Sequence, residues 1–222
     1  MIGRGRSRRF DKEWAIRQAM QEFWRHGYAG ATLTRLKAAM GGICSPSLYA
    51  AFGSKRRLFE HVLEAYYQDE LLPAWRVFEE SPPGAVDSYL RKVAIRFTRE
   101  GMPRGCLVEV CQVESFAWDD SLQRQLSALR QQSSQAILHG LEQARLGGGL
   151  ALRMEPRRLS EIISLLISGL SSRAREGEGR EHLLGVVEDF LGCILLQAKD
   201  PLANREGWLA SRPVVSTKDE AT

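Results

Sequence analysis

Cysteine and histidine are scarce in this sequence, with four of each among 222 residues. The cysteines, Cys44, Cys106, Cys111 and Cys193, show no Cys-x-x-Cys spacing, so neither a disulfide framework nor a structural zinc site is expected. The sequence also lacks His-Glu-x-x-His, Gly-x-Ser-x-Gly and Gly-x-x-x-x-Gly-Lys-Ser/Thr motifs. We therefore expect no metal, no cofactor and no catalytic site.

Long apolar runs are absent as well. No segment approaches the roughly 20 apolar residues that cross a membrane. The N-terminal residues Met1-Ile2-Gly3-Arg4 lack the apolar stretch of a signal peptide. Unpaired thiols suit a reducing compartment. We therefore expect a soluble cytoplasmic protein that does not insert into membranes.

Helical periodicity dominates what is present, and strand-like alternation is rare. The pattern predicts an all-α fold of about nine helices, separated by clusters of glycine, proline and aspartate. The predicted helices span residues 11–26, 34–40, 45–52, 55–79 with a bend near Pro73, 85–99, 105–116, 121–145, 156–174 and 180–199. The polar residues 200–222 are expected to form a largely disordered tail.

The first two helices have clear ends. The first is closed by Gly27, and the second is capped by Thr32 or Thr34 and ends at Gly41-Gly42. The side chains expected to face inward from the first helix are Trp14, Ile16, Ala19, Met20, Phe23 and Trp24.

The third helix, residues 45–52, is short and sharply bounded. Ser45 suits the N-cap and Pro46 the first helical turn, while Gly53-Ser54 ends the helix after about two turns. Two helices joined by a tight glycine turn are typical of a helix-turn-helix, whose second helix enters the major groove of DNA. The same pattern also fits an ordinary helical hairpin.

The distribution of charge favours the DNA-binding interpretation. Residues 1–60 contain 12 Lys and Arg against 4 Asp and Glu, a net charge of +8. The totals of 31 and 27 leave 19 basic and 23 acidic residues beyond position 60, a net charge of −4. A basic N-terminal region attracts phosphates independently of DNA sequence. Arg6 and Arg8 belong to a basic arm that fits either the minor groove or a solvated tail.

Residues 47–55 carry a family resemblance. The stretch Ser47-Leu48-Tyr49-Ala50-Ala51-Phe52-Gly53-Ser54-Lys55, followed by Leu58-Phe59, resembles the N-terminal domain of TetR-family transcriptional regulators. Gly27-Tyr28, Thr32-Leu33-Thr34 and Ala39-Met40-Gly41 are similar in the same order, so that the resemblance covers roughly residues 8–66. Further on, only Arg104-Gly105-Cys106-Leu107 is similar to one branch of that family.

The resemblance implies a fold and a role. Residues 1–54 would form an N-terminal arm and a helix-turn-helix DNA-binding domain, and residues 55–199 a helical ligand-binding and dimerisation domain. The protein would be a dimeric repressor, released from a palindromic operator in double-stranded DNA by a small-molecule inducer or a thiol-reactive signal.

The DNA-binding residues follow from position and from the resemblance. The start of the third helix is expected to face the groove, whereas Leu48 and Phe52 hold this helix to the core. The resemblance places phosphate contacts at Tyr49 and Lys55. The expected DNA-binding residues are Arg6, Arg8, Thr34, Arg35, Ser45, Pro46, Ser47, Tyr49 and Lys55.

The turn departs from the family pattern. Gly41-Gly42-Ile43 contains one residue more than the single glycine and hydrophobic residue that are usual there. Glycine accepts backbone angles that other residues avoid, so the insertion can form a looser turn. Alternatively, it changes the orientation of the third helix, residues 45–52, which is the proposed recognition helix.

The last two helices are apolar on more than one face. This pattern fits a twofold dimer, in which one face packs inside the chain and the other against a second copy, or complete burial within one chain. The residues expected at a dimer interface are Ile162, Leu166, Leu170, Val187, Phe190, Leu191 and Ile194.

Aromatic and sulfur-containing side chains suggest a ligand or sensor site. The expected residues, each of which also fits an ordinary core position, are Trp75, Phe97, Met102, Cys106, Cys111, Phe116 and Trp118. Cys106 follows Arg104-Gly105 at a predicted helix start, where positive charge and the helix dipole lower a thiol pKa. We therefore hypothesise that Cys106 senses oxidants or electrophiles, with an inert core cysteine as the alternative.

Another class of protein remains open on the sequence alone. A non-catalytic helical adaptor would explain the apolar terminal helices but not the charge of +8 in residues 1–60. The salt dependence of binding distinguishes the two classes of protein, because affinity for DNA falls steeply as the salt concentration rises whereas the affinity of an adaptor for its partner need not.

Overall fold

The computed structural model describes residues 11–80, 84–114, 120–146 and 154–194, which fold into helices and connecting turns. Counting the interrupted fourth helix once, these residues form nine helices, which confirms the all-α prediction. Their bounds are α1 Lys12–Gly30, α2 Leu33–Ala39, α3 Ser45–Phe52, α4 Lys55–Tyr66, α5 Ala85–Phe97, α6 Leu107–Glu114, α7 Asp120–Leu146, α8 Pro156–Arg175 and α9 Arg180–Ile194.

Some sequence predictions concern residues outside these ranges. They are the ones for Arg6, Arg8, Phe116, Trp118 and the tail at residues 200–222. Among the helices that the structure describes, none is both long enough and apolar enough to span a membrane.

Helix α1 joins the N-terminal head (residues 11–54) to the body (residues 55–194). The Asp11 side chain accepts a hydrogen bond from the backbone N–H of Trp14 and caps the helix. On the inner face, the ring centroids of Phe23 and Phe59 lie 4.8 Å apart, and those of Trp24 and Tyr66 lie 5.0 Å apart. Such aromatic pairs add about 0.5–1.5 kcal/mol each to simple burial. They fix α1 against α4.

Two expectations for α1 have different outcomes. Gly27 has φ 71° and interrupts the regular helix as predicted, although one further turn follows it. Trp14, expected to face inward, is 44% exposed. Its ring lies over the turn after α2, where a Cβ placed on Gly41 would be 3.6 Å from Trp14 Cη2. The prediction for Trp14 was wrong because its ring packs against this turn and not in the core.

Helix α4 begins as expected and is interrupted before its expected end. The Ser54 hydroxyl accepts a hydrogen bond from the backbone N–H of Arg57 and caps the helix. After Tyr66 the chain makes a π-helical turn, Tyr67–Leu71, followed by two short helical segments, Leu72–Trp75 and Val77–Glu80. In place of the expected bend near Pro73 there is therefore an irregular stretch that already begins at Tyr67. Such π turns are frequent at functional positions in helices.

The segment Arg104-Gly105-Cys106-Leu107 connects several helices. Gly105 has φ 80°, and its carbonyl oxygen accepts a hydrogen bond from Trp24 Nε1 of α1. A Cβ at Gly105 would lie 2.8 Å from the backbone oxygen of Ser171 in α8. Only glycine satisfies both the backbone angle and this close approach. The segment thereby brings α1 of the head and α8 of the body together.

Candidate nucleic-acid interface

The turn between α2 and α3 uses both of its glycines. Thr32, rather than Thr34, caps α2 by accepting a hydrogen bond from the backbone N–H of Arg35. Gly41 and Gly42 have φ values of 77° and 79°, and the Gly42 N–H donates to the Lys37 carbonyl over 2.9 Å. The additional residue is thus accommodated by two successive left-handed glycines. This geometry matches the first of the two alternatives, an enlarged turn.

The start of the recognition helix differs by one residue from the prediction. Cys44 occupies the N-cap, Ser45 is the first helical residue, and the Leu48 N–H donates to the Cys44 carbonyl. The Ser45 hydroxyl instead accepts a hydrogen bond of 3.1 Å from Lys37 Nζ. The prediction of Ser45 as the N-cap was wrong because this hydroxyl is used to tie α3 to α2.

The thiol of Cys44 lies on the exposed side of this helix start. Its sulfur is 3.1 Å from the Ser47 hydroxyl. This hydrogen bond, aided by the charge of Lys37, lowers the pKa of Cys44. Thiol and hydroxyl therefore form a small polar surface at the exposed start of α3.

Helix α3 divides into a buried and an exposed face. Leu48 and Phe52 are buried, as expected for residues that anchor the helix. Pro46 and Ser47 are exposed, and Tyr49 is 44% exposed. Hydroxyl groups of this kind donate to phosphate oxygens and base edges. The helix accordingly offers a narrow polar surface held in place by two apolar anchors.

The neighbouring predicted residues are positioned by α1 and α2. Thr34 and Arg35 are exposed on α2, where an Arg35 guanidinium nitrogen lies 3.3 Å from His26 Nε2. Lys55 lies at the start of α4 and donates to the Ala29 carbonyl over 3.4 Å. Its ammonium group is 4.7 Å from the centre of the Tyr28 ring. Lys55 therefore also fixes α4 to the end of α1, a cation–π role that its position in the motif did not indicate.

Lys37 is a residue of this interface that the sequence analysis missed. Its side chain donates to Ser45, and its charge lowers the pKa of Cys44, so it lies beside the start of α3. Its place in the last turn of α2, directly before the glycine turn, was the available signal. A cation there is close to both helices of the pair.

The residues expected to form a ligand or sensor site lie in the body. Phe97, Cys106 and Cys111 are buried, while Trp75 and Met102 are half-buried. Cys106 precedes the first residue of α6, as predicted. Its backbone N–H donates to the Ser171 hydroxyl over 2.9 Å.

The expected activation of Cys106 is wrong. Burial raises the pKa of the Cys106 thiol, although the charge of Arg96 acts in the opposite direction. The guanidinium group of Arg104 donates to the Glu178 carbonyl. The sulfur accepts a hydrogen bond of 3.3 Å from the Tyr66 hydroxyl. The thiol is thus a buried, protonated member of the contact between α4 and α6.

An apolar groove lies between α8 and α9. It encloses about 480 Å³ and has Leu165, which is 72% exposed, on its rim. Of the residues expected at a dimer interface, Ile162, Leu166, Leu170 and Phe190 line this groove. Val187, Leu191 and Ile194 are instead buried inside the chain. The helices therefore use one apolar face internally and leave another exposed.

Comparison with known proteins agrees with this architecture. The chain is 30% identical over 191 residues to the HTH-type transcriptional repressor ComR of Escherichia coli K12, covering 82% of this chain and 88% of that repressor. It is also 30% identical over 184 residues to the HTH-type transcriptional repressor BdcR of the same organism, with coverage of 81% and 86%. No protein-family model matches the chain.

A solved structure adds a likeness in three dimensions. A cysteine mutant of the TetR family transcriptional regulator CifR, complexed with 26-base-pair double-strand operator DNA, is 36% identical with a TM-score of 0.76. The match covers 84% of this chain and 98% of that one. Fold, recognition helix and relatives together define a helix-turn-helix transcriptional regulator. The chain belongs to the TetR family, which confirms the resemblance found in residues 27–59.

Proposed function

We propose that this regulator is a DNA-binding repressor that acts as a twofold dimer on a palindromic operator and is released by a small molecule that binds the body. The observation that carries the proposal is the geometry of α3, whose polar face is exposed while Leu48 and Phe52 anchor it. The relatives named as repressors, and the similar regulator solved with operator DNA, support the same role. Residues 1–54 would bind DNA and residues 55–199 would bind the ligand and the second subunit, in the cytoplasm.

Electrostatics supports DNA as the partner of the head. The net charge of +8 in residues 1–60 contrasts with −4 in the rest of the chain. Neutralising phosphates releases condensed counterions, so each basic contact strengthens binding and makes it sensitive to salt. Ser47 and Tyr49 would then contact base edges and phosphates from the recognition helix, with Thr34, Arg35 and Lys55 near the DNA backbone.

The groove between α8 and α9 supports a second copy of the chain as the partner of the body. A surface with Leu165, Leu166 and Phe190 in and around an open apolar groove is a feature that association removes from water. Packing the same helices of two copies together gives a four-helix, twofold interface. Two recognition helices related by a twofold axis require two half-sites related in the same way. The operator is therefore proposed to be a palindrome.

Helix α4 is the proposed connection between signal and DNA. Its first residue, Lys55, contacts α1 of the head, and Tyr66 near its end contacts Cys106 of the body. A ligand that binds one arrangement of α4 better than another shifts the balance between DNA-binding and released forms. The movement of the two heads would change the distance between the recognition helices.

The thiol signal predicted for Cys106 stays a prediction. Because the sulfur is buried and protonated, an electrophile reaches it only after the contact with Tyr66 opens. A Cys106→Ser variant tests this role, since it would keep operator binding and lose release by the thiol-reactive probe diamide. An unchanged response of this variant would remove the sensor hypothesis.

Selection of bound sequences from a random duplex library tests the main proposal. Purified wild-type protein is expected to enrich one palindrome. A Ser47→Ala, Tyr49→Ala double variant, which leaves the buried anchors in place, is expected to lose this enrichment. Binding that is weak, independent of sequence and abolished between about 50 and 200 mM salt would contradict operator recognition. The absence of any DNA binding would favour the helical adaptor.

A further inference from the structure

A side chain of α8 holds α1 at the point where α1 is interrupted. Gly27 has φ 71° and ψ 177°, so the regular helix breaks there. Carbonyl oxygens at a helix end lose their regular intrahelical donors and need others. Arg175, the last residue of α8, donates from Nη1 to the Trp24 carbonyl over 3.1 Å and from Nη2 to the Arg25 carbonyl over 3.5 Å. One guanidinium therefore connects two successive carbonyls of α1 to α8.

The stem of Arg175 is held in place as well. A Cβ placed on Gly105 would lie 3.0 Å from Arg175 Cγ, so the arginine stem passes close to this glycine. The Gly105 carbonyl in turn accepts the hydrogen bond of 3.2 Å from the Trp24 indole. Arg175 and Gly105 thus contact the same turn of α1 from the body, one at its backbone and the other at a buried side chain.

The charge of Arg175 is left for these carbonyls. Within the residues that the structure describes, Arg175 forms no ion pair, and the neighbouring carboxylate of Glu176 is held by Arg173 over 2.8 Å. The carbonyl end of a helix carries partial negative charge, which attracts a cation. A guanidinium offers several N–H groups in one plane, whereas a lysine ammonium acts as a single point charge. Arginine therefore suits this contact better than lysine does.

A polar cleft lies beside the contact. It has a volume of about 560 Å³, lies between α1, α6 and α8, and has His26, Glu109, Ser168 and Arg175 among its lining residues. The rings of α1 and α4 pack together elsewhere, but apolar contacts are non-directional whereas hydrogen bonds are directional. The hydrogen bonds of Arg175 at this cleft therefore define the orientation of α1 more narrowly than packing alone.

Helix α8 also carries the surface proposed for the second subunit. Ile162, Leu166 and Leu170 of this helix line the apolar groove, and Arg175 at its end contacts α1 of the head. We propose that Arg175 is a positioning residue, which fixes the orientation of the head relative to the dimer and thereby sets the half-site spacing of the operator. This inference rests on the proposed function, since it needs a dimer and an operator with two half-sites.

The distance between the two heads tests this positioning without DNA. Cys44 at the start of α3 and Cys193 in α9 are exposed, whereas Cys106 and Cys111 are buried. In a Cys193→Ser background, a nitroxide label on Cys44 therefore gives one distance across the dimer, measured by double electron–electron resonance. The distribution should be narrow with Arg175 present and about twofold wider in Arg175→Gln, because the directional contact is lost.

Two further variants separate the position of the arginine from its charge. Arg158→Gln removes another exposed arginine of α8, in its first turn, and should leave the distribution unchanged. Arg175→Lys keeps the charge but not the planar set of donors, so it should give an intermediate width. Because Arg175 is exposed, its loss should lower the Tm by no more than about 4 °C. If Arg175→Gln does not fold by circular dichroism, Arg175→Lys carries the comparison.

Operator spacing tests the consequence for DNA binding. With half-sites from the duplex selection, the wild-type protein should lose about tenfold in affinity when one base pair is inserted between them, whereas Arg175→Gln should lose less than about threefold. Both proteins should bind a duplex with one half-site equally well. The reason is that Arg175 acts on the orientation of α3 and not on its contacts with bases.

The two measurements together separate this inference from the proposed function. Equal widths for the wild type and both Arg175 variants, or the same broadening in Arg158→Gln, would overturn the positioning role. An affinity loss by Arg175→Gln that is equal at every spacing and at the single half-site would overturn it too. A broadened distribution in Arg175→Gln without any operator binding by the wild-type protein would support the positioning role and contradict the repressor. Equal widths, with operator binding and the same spacing preference in both proteins, would contradict the positioning role and support the repressor.

Discussion

The α3 surface and the α8–α9 groove are both exposed, but they differ in chemistry. On α3 the exposed residues are short and polar or carry a hydroxyl, as with Ser47 and Tyr49, and the surrounding head is basic. The groove is lined by Ile162, Leu166 and Phe190 and has leucine on its rim. The first surface suits a hydrated polyanion, and the second suits another apolar surface. One chain thus carries two exposed surfaces, and the contacts proposed for them would respond to opposite changes in solvent.

The largest expected effect comes from placing a charge on the apolar surface. Leu165→Arg should convert the proposed dimer to monomers because it would bury an unpaired cation in the proposed interface. A monomer presents one recognition helix, so operator affinity should fall by about 10² to 10⁴, the usual gain from linked binding. Sedimentation velocity measures the first effect and fluorescence anisotropy with labelled operator measures the second.

Leu146→Arg is the control for this change. Leu146 is also strongly exposed, at 77%, but lies at the end of α7 and does not line the groove. It should remain a dimer with full operator affinity. If both variants lose affinity equally, added surface charge rather than the groove would be responsible.

The next largest effect is expected at Gly105, whose backbone contacts α1 of the head and α8 of the body. Gly105→Ala places a Cβ 2.8 Å from the Ser171 carbonyl oxygen and forces a residue with φ 80° into the left-handed region. We expect a loss of about 3 kcal/mol or more in the free energy of unfolding, measured by urea denaturation.

Gly101→Ala separates strain from steric clash at this position. Gly101 has φ 74°, close to that of Gly105, but a Cβ there would meet no atom within 4 Å. Its substitution should cost only the backbone strain, about 1–2 kcal/mol. If Gly105→Ala and Gly101→Ala lowered the free energy of unfolding by similar amounts, the close approach of α8 to Gly105 would be contradicted.

A smaller effect is expected on the polar surface. Tyr49→Phe removes one hydroxyl, and Tyr49→Ala removes the ring as well. If the hydroxyl donates to a phosphate, each should lower operator affinity by about 1.5–3 kcal/mol without altering the dimer. Ile95→Ala is the matched control, because Ile95 is 43% exposed on α5. Full affinity of Tyr49→Phe would exclude the hydroxyl contact.

The smallest effect is expected at Gly42, in the turn between α2 and α3. Gly42→Ala should destabilise the protein by about 1 kcal/mol, since φ is 79° and a Cβ meets open space. Gly185→Ala, also in open space but inside α9 and without a left-handed angle, should instead stabilise the protein by about 0.5–1 kcal/mol. A thermal melt compares the two, and a neutral Gly42→Ala would contradict the turn geometry.

The head could largely be predicted because its signals are local. The cap of α4 at Ser54, the end of α3 at Gly53 and the anchors Leu48 and Phe52 depend on residues within one or two turns. The errors occurred where a distant residue intervened. Ser45 caps nothing because Lys37 takes its hydroxyl.

In the body, the sequence predicts the helices but few of the side-chain contacts. Periodicity predicted its helices well, but not the contacts that give its side chains a role. Arg96 lies 26 residues from Glu70, whose carbonyl it binds, and Trp24 lies 81 residues from Gly105. Such tertiary contacts have no local signature. For the same reason, the position of Cys106 at a helix start was predicted correctly, while its burial and the direction of its pKa shift match the alternative of an inert core cysteine and not the sensor hypothesis.

The stoichiometry of the complex with the selected operator tests the central claim most directly. Native mass spectrometry should be performed with the full palindrome and with a duplex that contains one half-site. We predict two chains bound to each full palindrome and binding to the half-site that is weaker by at least two orders of magnitude. One chain per duplex, with equal affinity for the half-site and the full palindrome, would contradict a repressor whose two surfaces act together.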